Sequence, residues 1–270
     1  MRNLLSPVLG LVSGGAAVWL TLRDRRQSAE RLAAATLETL LNAIDANDEV
    51  TGAHVRRVAA YALILAQAAE LDDAAQRRVE RVALFHDIGK ISEALFDIVH
   101  DDEALSPAER KAIATHPRRG ADVLAPLWTF YPELRDGVLS HHECWNGTGY
   151  PRRLSGTAIP LEARIVAVAD TFDAITHSRR YRKGAGATRG AEVIAAGRGT
   201  QFDPALVDLF LSEPVFAAVE RFRAEAERAE RIGKSRPRRT VDRERRQATG
   251  ESDAPSVAFR WRDRVTPPAS

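Results

Sequence analysis

Residues 83–90, ALFHDIGK, place a histidine next to an aspartate at the end of an apolar run. Adjacent side chains on a helix point about 100° apart, so His86 and Asp87 suit two neighbouring metal ions better than a single ion. A lone His-Asp pair carries little information. The interpretation of this pair therefore depends on which other candidate ligands the chain contains.

Other side chains of the same kind stand at or near the ends of other predicted helices, beside glycine and proline. Imidazole suits transition metals, and carboxylate oxygens can complete their coordination. Each residue alone has a structural explanation, but their joint occurrence predicts convergence on one pocket that holds two metal ions. Two neighbouring ions are the usual arrangement for in-line attack on phosphorus. The candidate ligands are five histidines and two aspartates: His54, His86, Asp87, His116, His141, His142 and Asp170.

The composition favours an all-α protein. The chain of 270 residues is 44% hydrophobic but only 6% aromatic, and it is rich in alanine and leucine, which are strong helix formers. No alternating strand pattern of useful length is present. The formal net charge of +2 gives no reason to expect binding to a nucleic-acid polymer. The single cysteine, Cys144, excludes an internal disulfide and is interpreted as incidental to function.

Capping residues predict where several helices start. Asp48 or Thr51 is expected to cap a helix whose apolar stripe carries His54 toward the core. Residues 106–109, SPAE, form a capping-box pattern with proline at the first helical position. Asp203 is expected to cap the last core helix.

The N-terminal region has the pattern of a membrane anchor. Residues 4–22 carry no charge, and as a helix they would span about 28 Å, close to the thickness of the hydrocarbon core. Residues 23–26, RDRR, follow this run. The positive-inside rule therefore predicts a single-pass protein of the inner (cytoplasmic) membrane, with its catalytic domain in the cytoplasm. A cleaved signal peptide is a weaker alternative, because few charges precede the run and no A-x-A site ends it. A disordered or surface helix is the other alternative, since Pro7 and several glycines dilute the hydrophobicity.

Changes in composition predict three segments. Residues 1–26 form the membrane anchor, residues 27–222 the catalytic domain, and residues 223–270 a basic tail that is partly helical and then disordered. The tail is interpreted as solvated chain. Binding of the tail to acidic lipid headgroups is the alternative.

Several motifs in a fixed order resemble those of one known family. HDIGK at residues 86–90 looks like the signature of the HD phosphohydrolases, and HHECWNGTGYP at residues 141–151 resembles the defining element of the HD-GYP family. The pattern continues in IPLEARI, AVADTFDA, Tyr181-Arg182 and QFDP, at residues 159–165, 167–174, 181–182 and 201–204. The resemblance covers roughly residues 36–215.

The resemblance implies a fold, a cofactor and an activity. It implies an HD-GYP-type bundle of about seven helices around a bi- or trinuclear metal site, often of iron or manganese. The implied reaction is hydrolysis of cyclic di-GMP to pGpG and GMP through a metal-bridged hydroxide. Three other partners are considered: the membrane, contacted through the N-terminal helix, a second copy of the chain in a homodimer, and a signalling partner protein.

The same resemblance assigns roles to individual positions. The seven candidate ligands match the metal ligands of the family, and Lys90 matches a lysine that contacts the scissile phosphate. Asp173 lies near the catalytic centre, where it is expected to orient either the attacking water or a ligand histidine. The expected substrate-binding residues are two arginines that hold phosphate oxygens and two residues of the loop at the mouth of the site: Arg179, Arg182, Gly149 and Tyr150.

Departures from the family pattern limit these expectations. Val50 stands where trinuclear members carry a glutamate, which favours two ions over three. Residues 91–105 differ from the usual loop, so another cyclic dinucleotide or nucleotide remains an alternative substrate. A low-turnover module that binds cyclic di-GMP is the other alternative, and the complete ligand set argues against it. His100 and His177 match no ligand position and are expected at the surface.

Overall fold

The computed structural model describes residues 6–91, 106–177 and 184–235. Apart from an isolated bridge between Arg198 and Phe202, all regular structure in these ranges is helical, which confirms the predicted all-α class. The α-helices are α1 (Ser6–Asn47), α2 (Glu49–Ala68), α3 (Asp73–Phe85), α4 (Pro107–Ile113), α5 (His116–Val123), α6 (Glu133–Ser140), α7 (Leu161–Thr176), α8 (Gly186–Ala196), α9 (Pro204–Phe210) and α10 (Glu213–Ser235).

The predicted number of about seven helices is too low. Several helices are short, and a proline in the first turn marks the start of three of them. Pro107 starts α4, Pro117 lies in the first turn of α5, and Pro204 starts α9. A proline residue suits the first turn because its missing N–H would be unpaired there in any case. Hydrophobic periodicity alone merges such short helices with their neighbours.

The predicted caps are present. Asp48 accepts hydrogen bonds from the backbone N–H groups of Val50 and Thr51 at the start of α2. Ser106 and Glu109 form a complete capping box at the start of α4, and Asp203 caps α9. These caps pair backbone donors that would otherwise have no partner in the helix.

Helix α2 lies in the middle of the bundle and packs against α1, α3, α7 and α10. Its stripe of Val58, Tyr61 and Leu65 is fully buried. The Tyr61 ring makes edge contacts with Phe172 in α7 and Phe222 in α10, at centroid distances of 5.4 and 5.5 Å. The same stripe brings His54 inward, as predicted, and the His54 side chain is only 12% exposed. The core packing therefore holds α2, α3 and α7 where their polar side chains meet.

The predicted membrane-spanning segment belongs to α1, which runs for 42 residues from Ser6. None of the helices in the described ranges is both long enough and apolar enough to span a bilayer, so the prediction of a transmembrane helix is not supported. Small and polar residues such as Ser6, Ser13 and Gly14 lower the mean hydropathy of the run. The start of the predicted span, at residues 4 and 5, lies outside the described ranges.

Two helices are continuous across the predicted segment boundaries. Helix α1 runs through residues 26 and 27 to Asn47, and its part from Ala33 to Ile44 contributes to the core. Helix α10 runs through residues 222 and 223 to Ser235. The predicted disordered tail from residue 236 onward lies outside the described ranges.

Candidate metal centre

All seven predicted ligands meet in one region of the bundle. His54 lies in α2, and His86 and Asp87 directly follow α3. The remaining ligands come from the start of α5, the end of α6 and the middle of α7. Their donor atoms fall into two groups, each within 4.8 Å, that could each hold a metal ion. The first group is Asp87, His116, His141 and His142, and the second group is His54, His86 and Asp170.

The first group is closely packed. Nε2 of His116 lies 3.1 Å from Nε2 of His141 and 3.2 Å from Oδ1 of Asp87. The His142 ring lies next to both histidines, with centroid distances of 4.9 Å to His116 and 4.2 Å to His141. Three imidazoles and one carboxylate oxygen therefore face one small volume.

The second group is built around Asp170. Oδ1 of Asp170 lies 3.3 Å from Nε2 of His54 and 3.8 Å from Nε2 of His86. The two imidazole rings meet edge to face at a centroid distance of 5.5 Å. Two imidazole nitrogens and a carboxylate oxygen thus converge beside the first group.

The carboxylate of Asp87 connects the two groups. Its Oδ1 faces His116, at 3.2 Å from Nε2, and His141, at 3.9 Å from Nε2. Its Oδ2 faces the second group, at 3.5 Å from Nε2 of His86 and 3.7 Å from Nε2 of His54. One oxygen is therefore available to each group, which is the arrangement required of a carboxylate that bridges two cations.

The backbone fixes the tautomer of three ligand histidines. A carbonyl oxygen can only accept a hydrogen bond, so the ring nitrogen that contacts it must carry the proton. The other nitrogen, Nε2, then presents its lone pair to the site. In each case Nδ1 lies 2.7 Å from the carbonyl oxygen three residues earlier, which pairs His86 with Ala83, His116 with Ile113, and His141 with Val138.

These lone pairs lack proton donors. Nε2 of His116 and Nε2 of His141 face each other at 3.1 Å although the backbone already holds the proton of each neutral ring on Nδ1. Nε2 of His86 and Oδ1 of Asp87 are buried without a hydrogen-bond partner among the described residues. A buried, unpaired polar atom costs about 1–3 kcal/mol. A set of nitrogen and oxygen acceptors with so few donors fits divalent transition-metal ions.

Asp173 lies behind His54 and away from the meeting point of the ligands. Its Oδ2 is 2.7 Å from Nδ1 of His54, and Arg57 donates to both of its oxygens over 2.7 and 3.0 Å. Asp173 was predicted to orient either the attacking water or a ligand histidine, and these contacts give it the geometry of a residue that orients a ligand. Sequence analysis missed Arg57. Its signal was a charged residue three positions after His54, directly before Val58 of the apolar stripe.

The two groups differ in their charge. Burial lowers the pKa of His54, but hydrogen bonds to Asp170 and Asp173 outweigh it and raise this pKa from 6.5 to about 9. In the first group, burial and the neighbouring His116 lower the pKa of His142 to about 3. Burial and the adjacent imidazoles also hold the pKa of His141 well below its usual value. At neutral pH the His54 ring thus carries a second proton and a positive charge, whereas the rings of His141 and His142 are neutral.

The two carboxylates among the candidate ligands, Asp87 and Asp170, stay ionised. Burial raises the pKa of Asp87, but Lys90 and His86 lower it by a larger amount. The pKa of Asp87 therefore lies well below its ordinary value. Burial likewise opposes ionisation of Asp170, and the hydrogen bond from His54 outweighs it and lowers the pKa. Both groups therefore offer a negative charge to a cation.

Lys90 lies in the short 3-10 helix Ile88–Ile91 that follows the His-Asp pair. Its Nζ donates to Oδ2 of Asp87 over 2.6 Å. Its side chain is partly exposed. The ammonium group is therefore at the edge of the site, against the carboxylate that connects the two groups.

The loop of residues 147–151 is held tightly against the first group. The Tyr150 ring stacks on His142 at 4.9 Å, with 23° between the planes. A Cβ atom on Gly149 would lie 2.3 Å from the backbone nitrogen of Cys144, so only glycine fits there. Glu143 is buried and accepts hydrogen bonds from the backbone N–H groups of Arg152 and Leu154. Glu143 thus closes this loop and is absent from both ligand groups.

The QFDP segment supports the same loop from the other side. The backbone N–H of Trp145 donates to the carbonyl of Gln201, and that of Asn146 donates to the carbonyl of Thr200. Asp203 pairs with Arg164 over 2.6 Å. The distant motif blocks therefore act together to fix the mouth of the site.

Two predicted features fall outside the described residues, and one prediction is wrong. Arg179 and Arg182 lie in residues 178–183, and most of the unusual loop, with His100 in it, lies in residues 92–105. His177 was expected at the surface, but its side chain is only 11% exposed, and its Nε2 lies 3.3 Å from Oε2 of Glu230. The fold covers His177 with α10, a helix far away in sequence.

The chain belongs to the HD domain family, which matches residues 38–206. This match confirms the family predicted from the motifs. The chain is 34% identical over 190 residues to 3'3'-cGAMP-specific phosphodiesterase 2 of Vibrio cholerae, covering 70% of this chain and 35% of that protein. It is 36% identical to the cyclic di-GMP phosphodiesterase response regulator of Xanthomonas campestris pv. campestris, covering 65% of this chain and 47% of that protein.

The chain thus spans between about a third and a half of the length of these curated relatives. Among solved structures, a cyclic GMP-AMP specific phosphodiesterase of Vibrio cholerae superposes with a TM-score of 0.51 at 23% identity. The superposition covers 68% of this chain and 50% of the other chain. At this identity the likeness establishes the fold alone.

Proposed function

We propose that this chain is a metal-dependent phosphodiesterase that hydrolyses cyclic di-GMP to pGpG, GMP or both. The observation that carries the proposal is the placement of Asp87, whose two oxygens face two separate groups of ligands. A two-metal site of this kind is the usual device for hydrolysis of a phosphodiester. Relatives named as cyclic di-GMP phosphodiesterases support the choice of substrate.

Two divalent ions, iron or manganese, would be held by the two groups with Asp87 shared between them. When bound, they would supply a nucleophilic water at neutral pH and neutralise charge on the phosphate. Two ions are favoured over three because Val50 offers no ligand atom at the position of the additional glutamate. The Val50 side chain is moreover 51% exposed.

The chain's own residues would bind and orient the substrate around this centre. The ammonium group of Lys90 lies at the edge of the site, where it can offset charge on the phosphoryl oxygens. Arg179 and Arg182 are proposed to hold phosphate oxygens, on the motif match alone. Tyr150, stacked on His142, would form one wall of the substrate site, and Gly149 keeps that wall in place.

Hydrolysis of 3'3'-cGAMP is a second candidate. It is favoured by a specific observation: relatives named 3'3'-cGAMP-specific phosphodiesterases match the chain as well as those named for cyclic di-GMP, at 34% identity. The two substrates share the cyclic phosphodiester ring and differ in one base. The metal centre alone therefore does not distinguish between them.

The test is a turnover assay on the full chain, reconstituted without oxygen with Fe²⁺ or Mn²⁺. Cyclic di-GMP and 3'3'-cGAMP are supplied in parallel, metal content is measured by mass spectrometry, and products are separated by chromatography. We expect pGpG or GMP from cyclic di-GMP, with the higher kcat/KM for this substrate. Higher kcat/KM for 3'3'-cGAMP would favour the second candidate. Absence of product from both, with metal bound, would contradict hydrolysis and favour a binding module.

The predicted place at the cytoplasmic membrane and the predicted association with a second copy or a signalling protein stay predictions from the sequence. A cyclic dinucleotide is the partner that the proposal requires.

A further inference from the structure

A chain of hydrogen bonds connects the last helix to the metal centre. Oε1 of Glu230 in α10 accepts from Nη1 of Arg57 over 2.8 Å. Nε and Nη2 of Arg57 donate to the two oxygens of Asp173. Oδ2 of Asp173 in turn lies 2.7 Å from Nδ1 of His54. Glu230 is thus three contacts away from a proposed metal ligand.

The geometry of this chain limits how each member can turn. The Arg57 side chain is 7% exposed, and its planar fork is held by Asp173 on one side and by Glu230 on the other. Both oxygens of Asp173 are already engaged, so a rotation of its carboxylate would move the ring of His54. Arg57 and Asp173 are almost fully buried, so each depends on its partners, and the planar fork of Arg57 holds the two carboxylates in one arrangement. Orientation of His54 is therefore the property that Glu230 can control.

We propose that Glu230 is a positioning residue of the metal centre, acting through Arg57 and Asp173 on His54. Glu230 lies beyond residues 38–206, which match the HD domain family. Helix α10 therefore contributes to metal affinity through Glu230, in addition to covering the core. The proposal rests on the metal site of the proposed function, because it concerns the group formed by His54, His86 and Asp170.

The experiment measures Mn²⁺ binding to the full chain by titration calorimetry, without any substrate. Removal of a group that orients a metal-bound histidine typically weakens metal binding 10- to 100-fold. Because Glu230 acts two steps further out than Asp173, we expect Glu230→Ala to show the lower end of this range and to weaken one of two Mn²⁺ sites about tenfold. Glu230→Gln keeps the acceptor for Arg57 and is expected to stay within about threefold of wild type. Arg57→Lys cannot make the fork and should resemble Glu230→Ala.

Glu227→Ala is the matched control. Glu227 lies in the same helix, is similarly exposed (29% against 34%), and pairs with Arg223 and Arg231. Its loss should leave both Mn²⁺ affinities unchanged. His177→Ala is a second control, since His177 touches the other oxygen of Glu230 and should not affect binding if the effect runs through Arg57.

Three results would overturn the proposal. They are unchanged affinities in Glu230→Ala, an equal loss in Glu227→Ala, and a loss in Glu230→Gln as large as that in Glu230→Ala. Thermal melts in the absence of metal separate positioning from folding, because an altered melt with unchanged Mn²⁺ affinity would mean a purely structural role. A wild-type chain that binds no Mn²⁺ would instead contradict the metal centre. A wild-type chain that binds Mn²⁺ but hydrolyses nothing would contradict only the proposed reaction.

Discussion

Lys90 donates a hydrogen bond from Nζ to Oδ2 of Asp87, over a distance of 2.6 Å. This oxygen is the one that faces His54 and His86, so the lysine and the second ligand group share one carboxylate oxygen. The ammonium group is also the main influence that lowers the pKa of Asp87 against the effect of burial. Lys90 therefore contributes positive charge at the point where a bound phosphate would meet the metal centre.

We expect Lys90→Met to lower kcat for cyclic di-GMP about 100-fold while metal content stays at the wild-type level. The reason is that loss of one preorganised charge that stabilises a developing oxyanion typically costs 10²–10³ in rate. Lys111→Met is the control, since Lys111 is an exposed lysine in α4. Loss of metal in the Lys90 variant would mean that Lys90 holds the carboxylate of Asp87 in place and does not act on the substrate.

Asp87→Ala should remove at least one metal equivalent and lower turnover by more than the roughly 10- to 100-fold that is typical when a group that only orients a ligand is lost. The oxygens of this carboxylate face one ligand group each, and alanine removes both of them. Metal content and turnover are measured on the same sample. Cys144→Ser should keep both nearly intact, because Cys144 belongs to neither ligand group. If the serine variant lost its metal, the ligand assignment would be wrong.

Metal binding at the second group should depend on pH. The pKa of His54 in the metal-free protein is raised to about 9, so a cation must displace a proton at neutral pH. The apparent affinity of that site should therefore rise about tenfold per pH unit from 7 toward 9 and level off above. Calorimetry in two buffers of different ionisation enthalpy would detect about one proton released per ion. A pH-independent affinity over this range would show that His54 is not a ligand.

Gly149→Ala should destabilise the protein by about 3 kcal/mol, because the added Cβ meets the backbone of Glu143 and Cys144, which cannot move aside. Turnover should fall with it, since this loop holds Tyr150 on His142. Gly156→Ala is the control: its Cβ meets nothing within 4 Å, and the φ of +55° alone costs about 1 kcal/mol. Denaturant unfolding gives both values, and equal losses would argue against a steric role for Gly149.

Some residues of the site could be predicted from the sequence, and others could not. The seven candidate ligands could be identified because each lies in or beside a recognisable motif or a helix end. Asp173 was found for the same reason, and its contacts with His54 and Arg57 fit the second of its two expected roles, orientation of a ligand histidine. The buried position of His177 was missed, because the carboxylate that contacts it comes from α10.

The sequence by itself determined the helical class, the caps at Ser106 and Asp203, and the identity of the donor atoms, since these depend on local chemistry and short-range spacing. Only the tertiary structure decided that the donors form two groups, that the oxygens of Asp87 face one group each, and that Glu230 reaches Arg57. The physical reason is that such contacts join helices far apart in the chain, and core packing sets their distances. In the sequence, His86 and Asp87 are only neighbours at the end of an apolar run. In the structure, the function of Asp87 depends on its contacts with His116 and His54, which lie on two other helices.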